Sequence, residues 1–178
     1  MNYFQKMRGG GTRPPRAGAS EILLSWLGAA IAIALIGLLD HALMDPLHAN
    51  LLIGSFGASA VLAFGAIRSP LAQPRNLVGG HVVSAFVGVT CASLLPSPIW
   101  LTAALAVATA IALMHMTETL HPPGGATALI AVIGGEQVRA LGYTYVFLPC
   151  LLGSCIMLLL AVLFNNLAKN RKYPLYWW

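Results

Sequence analysis

Charged residues are scarce in this chain. Of its 178 residues, 10 are Lys or Arg and 5 are Asp or Glu, so 8% are charged, whereas soluble domains carry roughly a quarter. So few charges cannot cover the surface of a soluble protein, and they argue against a disordered chain or a nucleic-acid-binding protein. The 3 cysteines lie in apolar runs without metal-ligand spacing, which argues against a disulfide-rich secreted scaffold.

Apolar residues instead make up 58% of the sequence and form long runs between the few charges. Runs of membrane-spanning length cover residues 22–39, 49–67, 76–95, 99–117 and 143–164, and the second is rich in Gly and Ser. A shorter piece, Gly125–Ile133, follows His121-Pro122-Pro123-Gly124 and cannot cross a bilayer as a helix alone. We therefore predict an all-α polytopic membrane protein with about six membrane segments, four long helices plus two broken or half-helix segments.

The positions of Lys and Arg predict the orientation of the chain. Basic residues cluster before the first run and after the last, so both termini are expected in the cytoplasm. Six crossings also place Arg68 and Arg75 inside and leave Arg139 outside. Four crossings with two re-entrant loops would put all three outside, so six are favoured. Residues 1–20 are predicted to be a flexible basic arm, and residues 21–178 a single transmembrane domain.

A short internal repeat divides the predicted segments into two units. The sequence Gly57-Ala-Ser-Ala-Val-Leu-Ala63 matches Gly125-Ala-Thr-Ala-Leu-Ile-Ala131 at an offset of 68 residues, with four of seven positions identical. Each copy lies between two long runs, which gives three-segment units over about 21–95 and 99–167. Three crossings per unit would invert the second unit, a recurring plan in transporters. Tight helix packing through small residues is the open alternative.

The two predicted half-helices indicate a class of ligand. A helix N-terminus presents free N–H groups and partial positive charge, and glycine lets a ligand approach the backbone. Two such starts that point at the protein centre would bind a small anion. We expect bulk at Gly57 or Gly125 to block it. The candidate substrate-binding residues are Ser55, Gly57, Ser59, His81, His121, Pro122, Pro123, Gly124, Gly125 and Thr127.

Other ionisable residues are candidates for the proton path or the vestibule. Ionisable groups within membrane segments are functional candidates by default, and a histidine near pH 7 can take up a proton together with an anion. The candidates for a vestibule or for proton coupling are Arg75, Asn76 and Glu118, with lipid-facing or interfacial roles as the alternative. The loop after the first run holds Asp and His at positions 40, 41, 45 and 48, where a solvated loop is favoured over a metal site.

Several blocks of the sequence resemble those of a known protein family. The stretch His121-Pro-Pro-Gly-Gly-Ala-Thr-Ala128 resembles the signature that names the HPP family of integral membrane proteins. Further blocks agree, namely Gly54-Ser-Phe-Gly-Ala-Ser-Ala60, Ser69-Pro-Leu-Ala-Gln-Pro-Arg-Asn76, Gly79-Gly80-His81 and Tyr173-Pro-Leu-Tyr-Trp177. The resemblance implies the four transmembrane segments with which the family is usually described, fewer than the six favoured here. It also implies nitrite as substrate, because members from plastids and cyanobacteria resemble nitrite transporters.

Pattern and resemblance together predict a membrane transporter for a small inorganic anion, with nitrite as the first candidate and protons as a candidate coupling ion. A channel-like anion pore and a non-transporting membrane scaffold are the alternatives. No catalytic constellation is present, so no enzymatic activity, cofactor or metal is predicted. The expected partners are the anion, protons, the lipid bilayer and a second copy of the chain, with no nucleic acid. The expected location is a bacterial-type inner membrane.

Overall fold

The computed structural model describes residues 2–44 and 51–178, and within them the chain is entirely helical. These residues form eight α-helices: α1 (Tyr3–Lys6), α2 (Ala19–Leu39), α3 (Ser55–Ala60), α4 (Pro74–Leu94), α5 (Ile99–Met116), α6 (Pro122–Ile133), α7 (Gly135–Leu141) and α8 (Gly153–Asn165). Wider π-helical turns continue α2 over Asp40–Met44, continue α3 over Val61–Gly65, and precede α8 over Val146–Leu152.

Four helical segments are long and apolar enough to cross a membrane: Ala19–Ala42, Pro74–Leu94, Ile99–Met116 and Val146–Asn165. Two shorter apolar helices, Ser55–Gly65 and Pro122–Ile133, lie between them in the chain. At 12 residues, α6 is about 18 Å long, well short of the roughly 30 Å hydrocarbon core of a bilayer. The prediction of an all-helical chain with four long and two short membrane helices is therefore confirmed.

Proline sets the boundaries of several helices. Both α4 and α6 begin at a proline, Pro74 and Pro122, where the missing N–H would have had no partner within the helix. The short apolar piece that follows His121 is already helical from Pro122, because both prolines fit the first turn of a helix. Pro149 lies inside a helix, and the missing N–H accompanies the π-helical turn there. The predicted run 49–67 is helical only from Ser55, and its first two residues lie outside the described part.

Small residues allow α4 and α6 to pack backbone against backbone. Gly80, Ser84 and Gly88 recur every fourth residue on α4 and face α6. A Cβ atom at Gly88 would lie 2.6 Å from the carbonyl oxygen of Ala128, and one at Gly80 would collide with the side chain of His121. In a membrane, where apolar association is weak, such close contact of small residues is a main source of helix–helix stability. This contact fixes where α6 begins relative to α4.

A buried arginine joins three segments at one end of the helix bundle. The Arg171 Nη2 donates to Glu21 Oε1 at 2.7 Å and to Ser25 Oγ at 2.9 Å, both on α2. Its Nη1 donates to Asn165 Oδ1, at the end of α8, at 2.8 Å. Asn165 in turn donates to the carbonyl of Ala63 at 2.9 Å, in the turn after α3. The start of α2 and the ends of α3 and α8 therefore lie together.

The C-terminal tail attaches to the same end through the start of α4. The hydroxyl of Tyr173 donates to the carbonyl of Ala72 at 2.6 Å, and burial raises the pKa of Tyr173, which keeps this donor protonated. The backbone N–H of Leu175 donates to Gln73 Oε1 at 2.9 Å. Trp177 and Trp178 remain exposed, as expected for aromatic residues at a membrane interface.

Replacing Arg171 tests whether its hydrogen bonds hold α2 and the end of α8 together. The Arg171 side chain is 1% exposed and that of Glu21 is 35% exposed, so Arg171→Met leaves Glu21 and Asn165 without their partner in a largely buried site. We expect a loss of about 2 kcal/mol of stability, measured as a lower midpoint of thermal unfolding in detergent. The control is Lys172→Met, which changes the exposed neighbouring cation. Equal midpoints for the two variants would contradict a structural role for Arg171.

Candidate functional site

Two histidines from different helical segments meet at a buried serine. The Ser59 Oγ atom lies 2.7 Å from His81 Nε2 and 2.9 Å from His121 Nε2. Ser59 belongs to α3, His81 to α4, and His121 is the residue before α6. All three side chains are fully buried, and the two imidazole rings are 5.1 Å apart between centroids. The sequence predicted these residues as site candidates, and the structure brings them together.

Hydroxyl groups extend this cluster from His81 toward the start of α3. The His81 Nδ1 atom lies 2.7 Å from Thr127 Oγ1, and Thr127 Oγ1 lies 2.9 Å from Ser55 Oγ. Ser55 and Thr127 are also fully buried. Together, Ser55, Ser59, His81, His121 and Thr127 form one continuous chain of hydrogen bonds, which we call the central polar chain.

The other end of the central polar chain is held by a backbone carbonyl. The Nδ1 atom of His121 lies 2.8 Å from the carbonyl oxygen of Leu71, in the loop between α3 and α4. Asn76, a predicted vestibule residue, is buried and donates from Nδ2 to the carbonyl of Leu120 at 2.9 Å, which holds the segment that leads into His121. Gly80 leaves room for the His121 side chain, as described above. Local packing therefore fixes the position of the His121 ring.

Of the glycines and prolines predicted as site residues, some are buried in the helix bundle and others face open space. Pro123 and Gly124 are buried, and a Cβ atom at Gly124 would lie 2.6 Å from Ser84 Oγ and 2.8 Å from the carbonyl oxygen of Gly80. Gly57 is exposed with open space at its Cβ position, and Gly125 faces only Val107, at 3.9 Å. Bulk at Gly57 or Gly125 would therefore point away from the central polar chain.

The start of α6 presents fewer free N–H groups than an ordinary helix N-terminus would offer an anion. Its first two residues are Pro122, which is exposed, and Pro123, and neither carries an N–H. The N–H of Gly124 donates to the carbonyl of His121 at 2.8 Å. An anion near α6 would therefore take its hydrogen bonds from side chains, and the backbone would contribute mainly through the helix dipole.

Arg75 and Glu118, predicted as vestibule or proton-coupling residues, form an ion pair at the end of the bundle. Their Nη1 and Oε2 atoms are 3.0 Å apart, and the Glu118 side chain is 75% exposed. Arg75 also donates to the carbonyl of Thr117 at 2.8 Å. Both residues lie outside the central polar chain, which matches the interfacial alternative for Glu118.

Residues that the sequence did not single out complete the site. The hydroxyl of the buried Tyr145 donates to the carbonyl of Thr127 at 3.2 Å. The ring of Phe56 packs edge-on against that of His81, with centroids 5.0 Å apart. Both aromatic residues lie in apolar runs, where no sequence signal separates them from lipid-facing residues. The Leu71 carbonyl is a backbone group, so no pattern of side chains in the sequence indicates its role.

Two cavities approach the site from different sides. One, of about 330 Å³, is lined by residues that include Gly54 and Tyr145, and so reaches the residue next to Ser55. The other, of about 470 Å³, lies at the opposite end beside Glu21, Arg68 and Arg171.

Among the residues described, no group of three or more His, Cys, Asp or Glu side chains is placed to hold a metal ion. In the loop after α2, the Asp40 carboxylate accepts the N–H of Leu51. Positions 45 and 48 of that loop lie outside the described residues.

Comparison with known proteins is consistent with this architecture. The family model described as "HPP, transmembrane region" matches residues 14–174. The chain belongs to the HPP family. Two transmembrane proteins of Dictyostelium discoideum are similar to it over its whole length, at 49% and 46% identity. This chain spans 58% and 64% of the lengths of these relatives. No solved structure matches it.

Membership of the HPP family establishes an integral membrane protein and leaves the transported substrate and the specific membrane as proposals. The two relatives are described only as transmembrane proteins, and they come from a eukaryote. They therefore give no particular support to a bacterial inner membrane. The signature residues themselves have clear positions in this HPP protein: His121 enters the central polar chain, and Gly124 packs against α4.

Adjacent glycines of the signature provide a matched test of this packing. We expect Gly124→Ala to lower stability by about 1–3 kcal/mol, because its Cβ would press against Ser84 and the Gly80 carbonyl. We expect Gly125→Ala to be neutral or slightly stabilising, since its Cβ meets only Val107. Thermal unfolding of both purified variants in detergent measures the difference. Equal destabilisation of the two would show that the face assigned to α6 is wrong.

Proposed function

We propose that this HPP protein transports a small inorganic anion across the membrane, with nitrite as the first candidate. One observation carries the proposal. Ser59 and Thr127 occupy equivalent positions of the internal repeat, 68 residues apart, and they contact the two different nitrogens of the single His81 ring. The two short helices thus meet around one buried polar group, the arrangement used by transporters built from paired discontinuous helices.

The chemistry of the central polar chain favours an anion over a cation. Its hydroxyl and imidazole groups can donate hydrogen bonds, and neither histidine ring is hydrogen-bonded to a carboxylate in the described residues. The positive end of the α6 dipole is also directed toward His121. A small monovalent anion such as nitrite would accept hydrogen bonds from Ser55, Ser59 and Thr127 after local rearrangement. We assign these three residues, with His81 and His121, to substrate binding.

A topology of six crossings in two inverted three-helix units completes the proposal. The contacts of Arg171 and Asn165 group the start of α2 with the ends of α3 and α8. The Arg75–Glu118 ion pair groups the start of α4 with the end of α5. This grouping supports α3 running antiparallel to α2, back to the end where α2 began, with an extended lead-in making up its length. In the same way, α6 runs antiparallel to α5.

Cysteine labelling tests the topology. In a background with Cys91, Cys150 and Cys155 replaced by Ala, we introduce Gly65→Cys or Gln137→Cys, both at exposed positions. Gly65 is preferred to Arg68 because the arginine then keeps its orienting charge. A membrane-impermeant maleimide should label Gln137→Cys in intact cells, and Gly65→Cys only after permeabilisation. Labelling of both from outside would instead support four crossings with re-entrant loops.

Flux measurements test the substrate. Liposomes that contain the purified protein should take up nitrite faster than protein-free liposomes, with nitrate, chloride and formate compared in parallel. The voltage must be clamped and the external pH held high enough that little neutral nitrous acid crosses bare lipid. Thr127→Val removes a hydroxyl with almost no change of shape, and we expect it to reduce nitrite uptake at least tenfold.

The matched control for that variant is Thr90→Val on α4, where the hydroxyl bonds the Phe86 carbonyl and Tyr143, away from the central polar chain. Wild-type uptake by Thr90→Val and loss by Thr127→Val would support transport through the central polar chain. Uptake of none of the four anions by the wild-type protein would overturn the proposal and favour a membrane scaffold. Uptake that never exceeds the anion's electrochemical equilibrium, whatever the pH gradient, would favour a channel-like pore.

A further inference from the structure

The direction of every hydrogen bond between Thr127 and Leu71 follows from one fixed acceptor. A backbone carbonyl can only accept, so the Nδ1 atom of His121 must carry the proton that it shares with Leu71. In a neutral ring, the Nε2 atom of His121 is then an acceptor, and the hydroxyl of Ser59 donates to it. The single hydroxyl proton of Ser59 is used in that bond, so Ser59 Oγ accepts a hydrogen bond from His81 Nε2.

The remaining bonds follow in the same way. With a proton on Nε2, the neutral His81 ring has an acceptor at Nδ1, and the hydroxyl of Thr127 donates to it. The structure shows the Thr127 hydroxyl donating to Ser55 Oγ. Thr127 has only one hydroxyl proton, so when it donates to His81 Nδ1 it gives up this bond, and the Ser55 hydroxyl must rotate to donate to Thr127. Each of the five side chains then donates its hydrogen bond in the same direction along the central polar chain, from Ser55 toward Leu71. The two histidines are opposite tautomers: Nδ1–H in His121 and Nε2–H in His81.

We propose that the central polar chain is a proton relay. It carries a proton from Ser55 to His121, which becomes positively charged. A proton that reaches the Ser55 oxygen displaces the Ser55 proton onto Thr127, and the Thr127 proton moves to Nδ1 of His81. The Nε2 proton of His81 moves to Ser59, and the Ser59 proton moves to Nε2 of His121. One proton enters and one imidazolium forms on His121, with N–H groups on both nitrogens. Each intervening group ends neutral, with its hydrogen bond reversed.

The hydrogen-bond partners of His121 satisfy an imidazolium, while burial and the positive end of the α6 dipole oppose that charge when no anion is bound. An imidazolium at His121 has an acceptor for each N–H, namely the Leu71 carbonyl and Ser59. A second charge on His81 would be strongly repelled, since the ring centroids are 5.1 Å apart in a buried site. Arg75 on α4 and Glu118 before α6 are paired with each other, and Arg68 is exposed in the connection that contains Leu71. From the chain after α7, Tyr145 approaches Thr127, and α3 presents hydroxyls.

The cavity lined by Gly54 and Tyr145 reaches the residue before Ser55 and a partner of Thr127, and the proposed relay would take its proton from this side. A positive charge on His121 would offset the charge of a monovalent anion, and this part of the inference rests on the proposed function. The relay itself does not, because the bond directions between Leu71 and Thr127 follow from the carbonyl acceptor at Leu71. Because the proton reaches His121 through Ser59, this serine is the hydrogen-bonded bridge between the two imidazole rings in the described residues.

The tautomers can be read without any transport measurement. Solid-state ¹⁵N NMR of the protein in lipid at pH 8, with ¹⁵N-labelled histidine, should show one buried Nδ1–H ring and one buried Nε2–H ring. Spectra of His121→Asn and His81→Asn assign them, and the Nδ1–H signal should disappear in the first variant. Two rings of the same tautomer, or the reverse assignment, would overturn the relay regardless of what the protein transports.

Ser59 variants test the bridge in function. In liposomes with an imposed nitrite gradient, the protons moved per nitrite should fall at least tenfold in Ser59→Ala, whatever nitrite flux remains, and should recover in Ser59→Thr. The control is Ser84→Ala, a buried serine on α4 whose hydroxyl donates to Met114 Sδ at 3.5 Å and lies outside the central polar chain, and this variant should keep the wild-type ratio. An unchanged ratio in Ser59→Ala would overturn the relay. Absent wild-type nitrite flux would instead overturn the proposed function and leave the tautomer result to judge the relay.

Discussion

The direct contact between the backbones of α4 and α6 is the constraint on which the rest of the site depends. Gly80 and Gly88 on α4, and Gly124 on α6, lack side chains where the two helices meet. This contact lets a short helix begin deep within the protein, and it places His121 beside His81. A helix that begins inside a membrane must have its polar groups satisfied by protein. Two prolines at its start remove two N–H groups from that requirement.

The central polar chain satisfies the buried groups that remain. Within the described residues, no buried side-chain nitrogen or oxygen atom lacks a hydrogen-bond partner. Unpaired polar groups in an apolar interior cost several kcal/mol each, so this closed network keeps the two short helices together when no substrate is bound. An anion that enters must exchange existing hydrogen bonds for its own. In the proposed transport function, breaking contacts between the two short helices would then be part of anion binding.

Bilayer thickness explains how much of the fold could be predicted from the sequence. Long apolar runs bounded by charges locate α2, α4, α5 and the helix ending at Asn165, because a membrane permits few other structures there. The internal repeat located the short helices, and with them Ser59 and Thr127. The repeat alone did not indicate that these two hydroxyls would bond opposite sides of one histidine ring. That result depends on the rotation of three helices about their axes.

Helix rotation also explains what the sequence could not predict. Gly124 and Gly125 are adjacent and identical in type, yet successive helical residues point about 100° apart, and only Gly124 packs against α4. Without the helix phase, the sequence does not separate Gly57 and Gly125, which have open space or a single distant neighbour at their Cβ positions, from the buried site candidates. The absence of N–H groups at Pro122 and Pro123, in contrast, is a property of proline that could have been applied from the sequence. Tyr145 and the Leu71 carbonyl emerge only from the tertiary contacts.

A histidine pair suits this location better than a carboxylate would, for a reason of charge. A carboxylate is negative without its proton and would repel an anion in a buried site, where electrostatic interactions are strong. A neutral imidazole costs less to bury than a charged group and becomes positive when it gains a proton. Moving a monovalent anion inward against a negative-inside potential costs about 2.3 kcal/mol per 100 mV. Under the proposed coupling, a proton carried on His121 would cancel that charge, and the anion would in turn stabilise the proton. Each binding event therefore favours the other, and this mutual stabilisation is the physical basis of coupling in a carrier.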